Sequence, residues 1–315
     1  MSETLERALA DVLSAREIEG LRRLSGGASR ETWSFTADGR RLILQRERAG
    51  TVRQGGGMTT EAVLIDAAAE AGVPVAPLVA SGDGDSPIGT PFLVLGHVDG
   101  ETIPRKLLRD DEFVAARETL AGDLGTILAA VHRIPLEAGR GLEEHDQVEQ
   151  FTEILDLFRE PHPALELGLR WLDRNRPEPG PTAIVHGDFR NGNVIVGPEG
   201  VRAVVDWELA HLGDPIEDLG WLCVKAWRFG SPHPVGGFGA REELIAAYES
   251  AGGRAVPVDT LRWWELMGTV KWGVMCIMQA RSHLDGFSRS VELAAIGRRV
   301  CENEHDVLAL LREVS

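Results

Sequence analysis

The chain has 315 residues and a formal net charge of −16, with 43% hydrophobic and 26% charged residues. This length exceeds what one hydrophobic core comfortably supports, so two lobes or domains are expected. The negative charge argues against a nucleic-acid partner, because phosphate binding needs a basic surface. The three cysteines are far apart, and the sequence has no CxxC or Cys/His cluster, so neither a disulfide framework nor a zinc site is supported.

The N-terminal segment predicts an amphipathic helix. Leu5, Leu9, Val12 and Leu13 recur at helical spacing between residues 3 and 18. The segment has neither the basic start nor the apolar stretch of a signal peptide. No part of the sequence has the run of roughly 18 apolar residues that a membrane span needs. We therefore expect a cytoplasmic protein without a membrane partner.

Residues 21–100 predict a small lobe that is rich in strands. Three strands, separated by a glycine-containing turn and by an ADGR turn, occupy residues 21–47. A helix follows, with Thr59 or Thr60 as its N-cap, and it runs through Ala71 before a glycine and a proline stop it. The apolar stretch PFLVLGHV predicts a further strand in this lobe.

The rest of the chain predicts a larger helical lobe. Apolar residues at helical spacing occur in residues 110–133, 147–173 and 241–315. An apolar hairpin over residues 184–206 is the exception. A strand-rich lobe joined to a helical lobe is an α+β arrangement. The predicted boundaries are an N-lobe at residues 1–96, a hinge at 97–102 and a C-lobe at 103–315.

The stretch IVHGDFRNGNVIV, residues 184–196, interrupts an apolar run with polar side chains. The segments NVIV and VRAVVDW flank a GPEG turn, so they should pair as antiparallel strands and bring Asn193 close to Asp206. Asp188 lies five residues before Asn193. One amide and two carboxylates therefore meet at one end of a short sheet, which favours an active-site loop over a plain polar turn.

This set of residues suits phosphoryl transfer from ATP. That reaction requires little covalent chemistry of the protein, which instead positions a nucleophile and neutralises phosphate charge with magnesium. Asp188 would accept or orient the proton of a substrate hydroxyl. Asn193 and Asp206 would offer hard oxygen ligands to Mg²⁺. Arg190 could reach the transferred phosphoryl group as a fixed positive charge.

The motif HGDFRNGN followed by VVDWE resembles the catalytic loop and metal-binding aspartate of the aminoglycoside phosphotransferase-like family, which includes choline kinase-like proteins. The next segment, HLGDPIEDLGWL, matches the GDPxxDL segment of that family, in the expected order and spacing. The resemblance is greatest to a branch similar to the kinase-like domain of some acyl-CoA dehydrogenases. It implies a two-lobed, protein-kinase-like fold, and transfer of phosphate from Mg–ATP to a hydroxyl of a small molecule.

The resemblance also assigns residues to nucleotide binding. The segment LSGGASRETW resembles the glycine-containing loop of the family, which would place Gly26, Gly27 and Ser29 over the ATP phosphates. Backbone N–H groups in such a loop can cradle anions, and glycine allows their close approach. The segment PFLVLGHVDG matches the hinge between the lobes. Its backbone from Leu95 to His97 would form hydrogen bonds with adenine.

Three residues near the motif are interpreted as supports of the loop. His186 would pack against the loop backbone, and its use as a base or metal ligand is less favoured. Asp214 and Asp218, in the GDPIEDL segment, would accept backbone N–H groups and lie near a helix N-terminus. A role for Asp214 in substrate binding is the minor alternative.

The sequence departs from the family where a strand lysine is expected. Glu61 matches the helix glutamate that pairs with that lysine, but RLILQRE places Gln45 at the lysine position. Arg46 is adjacent, although strand alternation directs it to the opposite face. Arg46 could substitute through a local bulge, or Lys106 or another cation could. The alternative is a catalytically inactive module that binds a nucleotide or another ligand. A metal-dependent phosphoester hydrolase ranks last, because it leaves the N-terminal lobe without a role.

The acceptor is the part of the function that the sequence defines least. Trp264, Lys271 and Trp272 could line the cleft, although core packing explains most of their helical spacing. Glu208 could contribute beside the metal-binding aspartate. Residues 141–160 hold seven acids and one arginine, which could attract a cationic aminoglycoside, but a solvated helix face is favoured. Aminoglycoside-like, hydroxyacyl-CoA-like and other small-molecule acceptors therefore stay open.

Overall fold

The computed structural model describes residues 2–24, 30–47 and 57–314. The strands are β1 Ile18–Arg23, β2 Arg30–Ala37, β3 Arg40–Glu47, β4 Leu78–Gly82, β5 Phe92–Gly96, β6 Ala183–Val185, β7 Val194–Gly197, β8 Gly200–Val204 and β9 His211–Gly213. The α-helices are α1 Ser2–Leu13, α2 Gly57–Glu70, α3 Pro104–Arg109, α4 Val114–Val131, α5 Gln147–Phe158, α6 Pro163–Arg174, α7 Ile216–Cys223, α8 Arg241–Ser250, α9 Val258–Leu284, α10 Val291–Ile296 and α11 Val300–Val314.

The N-lobe is an antiparallel sheet with a helix on each face. The strand order is β1-β2-β3-β5-β4. Strand alternation sends Trp33, Phe35 and Leu44 to one face, where they pack with Leu5 and Leu9 of α1. The opposite face of β5 joins a core that includes α2. The sheet is therefore buried on both faces, and one of those faces is turned toward the helical part of the chain.

The N-lobe differs from the sequence prediction in three places. Helix α2 begins at Gly57, so Thr59 and Thr60 lie within its first turn and neither is the N-cap. Helix α1 ends at Leu13, because Ser14 adopts a left-handed φ of 50° and the chain turns into β1. The strand β4, with the sequence LVASG, was not predicted, because such a short edge strand has no clear alternation.

The C-lobe is built on the 27-residue helix α9. Helices α5, α6, α7, α10 and α11 pack against it, and α4 packs against α8. Two short antiparallel ribbons, β6–β9 and β7–β8, complete this lobe. The α+β, two-lobed architecture expected from the sequence is confirmed. Among the helices in the described ranges, none is both long and apolar enough to cross a membrane.

The β7–β8 hairpin lies at the junction of the two lobes. The Val204 N–H donates to the Pro74 carbonyl at 2.7 Å, just beyond α2. Glu101 and Val196 exchange backbone hydrogen bonds of 2.9 and 3.0 Å, so the segment after β5 is also tied to the hairpin. These bonds hold the end of β8 against the strand-rich lobe, which positions the residues that follow it.

Candidate active site

The loop at residues 186–193 connects β6 to β7. The hairpin pairs in the predicted antiparallel sense, with Val194 opposite Val204. One more ladder bond follows, because the Val205 N–H donates to the Asn193 carbonyl at 2.9 Å. Asn193 and Asp206 therefore lie next to each other where the chain enters and leaves the hairpin.

Asp188 is held by three donors. Its Oδ1 accepts from Trp221 Nε1 and from Arg190 Nε, each at 2.9 Å, and its Oδ2 accepts from Asn193 Nδ2. The side chain is 13% exposed. This network fixes one orientation of the carboxylate and leaves a small part of it accessible to solvent, and a general base needs both a fixed position and access to its substrate.

The two candidate metal ligands present oxygen atoms. Asn193 Nδ2 donates to both the backbone and the side chain of Asp188, which leaves Oδ1 for a cation. Asp206 adopts the left-handed region, with φ 69°, two residues after the end of β8. Burial and the neighbouring Glu208 carboxylate raise the pKa of Asp206 to about 7. A divalent cation would relieve this crowding of carboxylates, so the donor set fits Mg²⁺.

No other cluster in the described part of the chain competes as a metal site. Within residues 2–24, 30–47 and 57–314, no group of three or more His, Cys, Asp or Glu side chains has a metal-binding arrangement. Mg²⁺ commonly takes only one or two protein side chains and completes its shell with water and phosphate oxygens. A pair of oxygen ligands in the cleft is therefore consistent with a cation that arrives with a nucleotide.

Arg190 lies between Asp188 and an aromatic ring. Besides its bond to Asp188, its guanidinium carbon is 4.6 Å from the centroid of the Trp227 ring. Stacking and the ion pair together hold this cation beside the candidate base. Its positive charge is therefore fixed at the site, as its proposed role requires.

The three predicted loop supports have defined contacts. Asp218 is fully buried and accepts from the backbone N–H groups of His186 (2.8 Å) and Gly187 (2.9 Å). His186 Nδ1 accepts from the Asp188 N–H at 3.2 Å, and its Nε2 lies 3.1 Å from the Val205 carbonyl. Asp214 Oδ1 accepts from the N–H of Ile216, the first residue of α7. The bonds of Asp218 and His186 tie the loop to α7 and to the residue that follows β8, whereas the Asp214 bond lies at the start of α7 and does not reach the loop.

Lys271 lies beneath the loop and does not line the cleft. It is buried, and its Nζ donates to the Gly187 carbonyl and to Glu217, each at 3.1 Å. Glu217 also lies 3.0 Å from His211 Nε2. Although burial favours its neutral form, His211 and Lys271 hold the pKa of Glu217 far below its usual range. The suggestion that Lys271 contacts substrate is therefore wrong, since its charge is used internally.

The two candidate tryptophans on α9 occupy different surroundings. Trp272 is buried in a cluster with Trp221 and Trp227, and its ring centroid is 4.8 Å from that of Trp227. Trp264 is partly buried, stacks edge-on against Trp263 and sits against Gly220 of α7. Both contribute to packing between α7 and α9, and a contact with substrate stays a prediction for each.

Only some of the residues assigned to nucleotide binding lie within the described part of the chain. Gly26, Gly27 and Ser29 lie outside the described residues. Gln45 and Glu61 are brought together, and the cation between them is Arg30, whose Nη1 is 2.9 Å from Gln45 Oε1 and 3.0 Å from Glu61 Oε1. Glu208 accepts from the other edge of the same guanidinium at 2.9 and 3.2 Å.

Neither cation named from the sequence pairs with Glu61. Arg46 lies on the opposite face of β3, as alternation predicts, and pairs with Glu31 at 2.8 Å. Lys106 pairs with Glu101 at 2.7 Å. The suggestions of Arg46 and Lys106 as the missing cation are therefore wrong, and Arg30 of β2 occupies that position.

The hinge residues follow the central part of the sheet. Leu95 pairs with Ile43 of β3 and with Leu78 of β4. The His97 N–H donates to the Arg41 carbonyl at 3.1 Å. That donor is used within the sheet in this conformation, and a contact of the Leu95–His97 backbone with adenine stays a prediction.

Sequence reasoning missed two contributors to the site, although both left a signal. The hairpin places Thr32 opposite Gln45, so counting back two residues puts Arg30 on the face of Gln45. Trp221 follows Asp218 by three residues on α7, and positions three apart share a helix face. The register of one hairpin and the period of one helix would have pointed to both residues.

A model of the phosphotransferase enzyme family matches residues 20–258. The chain belongs to this family. Membership confirms the family resemblance that the motifs HGDFRNGN and VVDWE indicated.

Curated relatives are longer proteins. Mouse acyl-CoA dehydrogenase family member 10 is 31% identical over 220 residues, which is 66% of this chain and 20% of that protein. Human acyl-CoA dehydrogenase family member 11 is 31% identical over 182 residues, which is 52% of this chain and 23% of that protein. The chain thus spans about a fifth of the length of these relatives.

Solved structures with the same fold cover nearly the whole chain. A Ralstonia eutropha protein described as a candidate aminoglycoside phosphotransferase has a TM-score of 0.76 and 23% identity, covering 99% of this chain and 98% of its own. A choline/ethanolamine kinase family protein from Mesorhizobium loti has a TM-score of 0.69 and 22% identity, covering 98% and 94%. At these identities the likeness establishes the kinase-like fold.

Proposed function

We propose that this protein transfers the γ-phosphate of Mg–ATP to a hydroxyl group of a small molecule. The observation that carries the proposal is the meeting of Asp188, Asn193 and Asp206 at the lobe junction, with Arg190 and Arg30 beside them. Phosphoryl transfer depends on positioning and on electrostatic stabilisation, and this site supplies one base, two oxygen ligands and two fixed cations.

Asp188 accepts or orients the proton of the attacking hydroxyl. Its carboxylate is aimed by Trp221 and Asn193, so the acceptor oxygen can approach without competition from a rotating side chain. Arg190 keeps positive charge close to the transferred group. Asn193 Oδ1 and Asp206 would hold Mg²⁺, which when bound neutralises phosphate charge.

Nucleotide use draws support from one solved relative. The aminoglycoside phosphotransferase APH(4)-Ia forms a ternary complex with AMP-PNP and hygromycin B, and the TM-score to this chain is 0.67 at 16% identity. We infer the corresponding cleft here, between the β-rich lobe at residues 1–96 and the helical lobe at 103–315. The hinge at 97–102 would contact the base, and Gly26, Gly27 and Ser29 would contact the phosphates.

The acceptor is proposed only as a class. Relatives include proteins named for aminoglycoside, macrolide and spectinomycin phosphotransfer, and others named as acyl-CoA dehydrogenases. An aminoglycoside-like or a hydroxyacyl-CoA-like hydroxyl compound fits these names equally well. A coupled assay of ADP release over both classes, with choline-like and sugar acceptors added, would select among them.

Replacing Asp188 tests the proposed base. Asp188→Asn keeps the shape of the side chain and its contact with Trp221, but it removes the proton acceptor. We expect turnover to fall by about 10²–10⁴-fold, while the stabilisation by Mg–AMP-PNP in a thermal-shift assay persists. The mechanism would be contradicted by a variant that keeps wild-type turnover. Glu199→Gln, at the exposed hairpin turn, is the matched control and should leave turnover unchanged.

A further inference from the structure

Arg30 is placed where two strands, one helix and the end of the hairpin converge. It is the first residue of β2 and its side chain is 5% exposed. One edge of its guanidinium contacts Gln45 and Glu61 in the N-lobe. The other edge contacts Glu208, and Nη2 lies 3.8 Å from Asp206 Oδ1. A single side chain thus joins both lobes at the candidate metal site.

The guanidinium of Arg30 lies where the charged group of a cation at position 45 of β3 would lie. Gln45 Oε1 touches Arg30 Nη1, and the same Nη1 touches Glu61. A lysine side chain is one bond longer than glutamine, so a lysine at position 45 would bring its ammonium close to the present position of Nη1. The chain therefore provides positive charge at this point from β2, and Gln45 acts as a neutral hydrogen-bond acceptor that orients it.

A purely structural ion pair explains this arrangement less well. Glu61 alone would balance the arginine, yet Glu208 and Asp206 also face it. Arg30 therefore lies within ion-pair distance of three carboxylates, one from α2 and two from the segment that follows β8. Arginine offers a planar fork of donors that suits phosphate as well as carboxylate. The guanidinium edge that Glu208 contacts faces Asp206, the candidate metal ligand. Nucleotide phosphates that bind the metal would approach Arg30 from this side.

We propose that Arg30 binds the nucleotide phosphates, oriented by Gln45 and Glu61, and that Glu208 holds its outer edge when no nucleotide is bound. This inference rests on the proposed function, because it assigns a residue to the nucleotide site. It also explains how the chain keeps a cation at the site although its β3 position carries glutamine.

Moving the charge between strands tests the proposal. The variants are Arg30→Gln, Gln45→Lys and the double variant that carries both, and the probes are Mg–AMP-PNP and adenosine, followed by calorimetry. Arg30→Gln should weaken Mg–AMP-PNP binding by about 10- to 100-fold, which corresponds to loss of a hydrogen bond to a charged group. Adenosine has no phosphate, so its affinity should not change. The double variant should recover most of the lost affinity.

The outcomes of these measurements separate a phosphate-binding role of Arg30 from a structural one. If Arg30→Gln weakens adenosine and Mg–AMP-PNP equally, or if the double variant stays as weak as the single one, Arg30 is structural and the inference is overturned. If the wild-type protein binds no Mg–AMP-PNP, the proposed function fails as well. Should Arg30→Gln not fold, Arg30→Lys keeps the charge but loses the fork, and a loss of about 10-fold confined to Mg–AMP-PNP supports the proposal. An unchanged affinity of that variant for both probes overturns it.

Discussion

At the scale of single residues, two hydrogen bonds of His186 hold the loop at residues 186–193 in place. The Asp188 N–H donates to His186 Nδ1, so the proton of this imidazole lies on Nε2 and is donated to the Val205 carbonyl. Complete burial lowers the pKa of His186, which keeps the ring neutral and this tautomer dominant. A neutral histidine with both nitrogens engaged supports the interpretation of His186 as part of the scaffold of the loop and not as a base.

The His211–Glu217 pair makes a pH-dependent contribution to stability. Although burial alone would lower it, the Glu217 carboxylate raises the pKa of His211 above its ordinary value of 6.5. Because the raised pKa belongs to the folded state, the stabilisation is complete below pH 6.5 and is lost as pH rises through the folded pKa. His211→Gln should therefore reduce the free energy of unfolding more at about pH 6 than at about pH 9.

Urea unfolding of both proteins across this pH range measures the effect. His305→Gln, at an exposed position of α11, is the matched control, and it should show no comparable dependence on pH. A deficit for His211→Gln that stays constant from acid to alkaline pH would mean that packing and not charge accounts for the contribution of His211.

At the scale of elements, close helix contacts set the position of the loop. Helix α7 carries Asp218 and Trp221, which both bind the loop, and α7 packs against α9 at Gly220. A Cβ at Gly220 would lie 2.5 Å from the Cβ of Trp264. The two helices therefore approach as closely as their backbones allow, and any widening of this contact would displace Asp218.

Two glycines of α4 give a clean test of such packing. A Cβ at Gly125 would lie 2.5 Å from the Leu244 carbonyl oxygen of α8, whereas at Gly122 the nearest atom is the Cβ of Ala247 at 3.8 Å. Gly125→Ala should lower the free energy of unfolding by about 1–3 kcal/mol, because backbone must move. Gly122→Ala should raise it by about 0.5–1 kcal/mol through helix propensity.

Chemical denaturation of the two variants provides the comparison. Opposite signs for positions three residues apart on one helix would show that the α4–α8 distance, and not the helix itself, limits stability. Equal effects of the two substitutions would contradict the packing of α4 against α8.

At the scale of the whole molecule, the two lobes are linked through the end of the hairpin. The Val204 N–H bonds to Pro74, and Arg30 reaches Asp206 and Glu208 from β2. A ligand that bridges the lobes at this point should therefore stabilise both. Mg²⁺ with ATP would do so by adding contacts to the same carboxylates that now crowd together.

Saturating Mg–ATP is expected to raise the melting temperature by about 5 °C or more, because ligand at 100 times its Kd adds about 2.7 kcal/mol. EDTA should abolish the metal-dependent part. Asp206→Ala should weaken Mg–ATP binding and thereby lose most of the shift, while Asp188→Asn should retain it. Differential scanning fluorimetry measures all four conditions, and a shift that survives both EDTA and Asp206→Ala would remove Asp206 from the metal site.

Much of the site could be predicted from sequence because its residues are close along the chain. Asp188, Asn193 and Asp206 are joined by one hairpin, and a hairpin is fixed by local turn chemistry and strand alternation. The corresponding prediction failed for the missing cation, because Arg46 and Lys106 each pair with a different carboxylate. Arg30 contacts Glu208 across a sequence separation of 178 residues, so no local pattern could reveal that contact.

The sequence by itself determined the α+β architecture, the family and the chemistry-bearing loop, because apolar periodicity and short-range spacing specify these features locally. Tertiary structure alone decided that Lys271 is a buried brace, and that Arg30 lies between Gln45, Glu61 and Glu208. The physical reason is the same in both cases. A buried charge must be paired, and its partners come from whichever elements the packing of the two lobes brings within hydrogen-bonding distance.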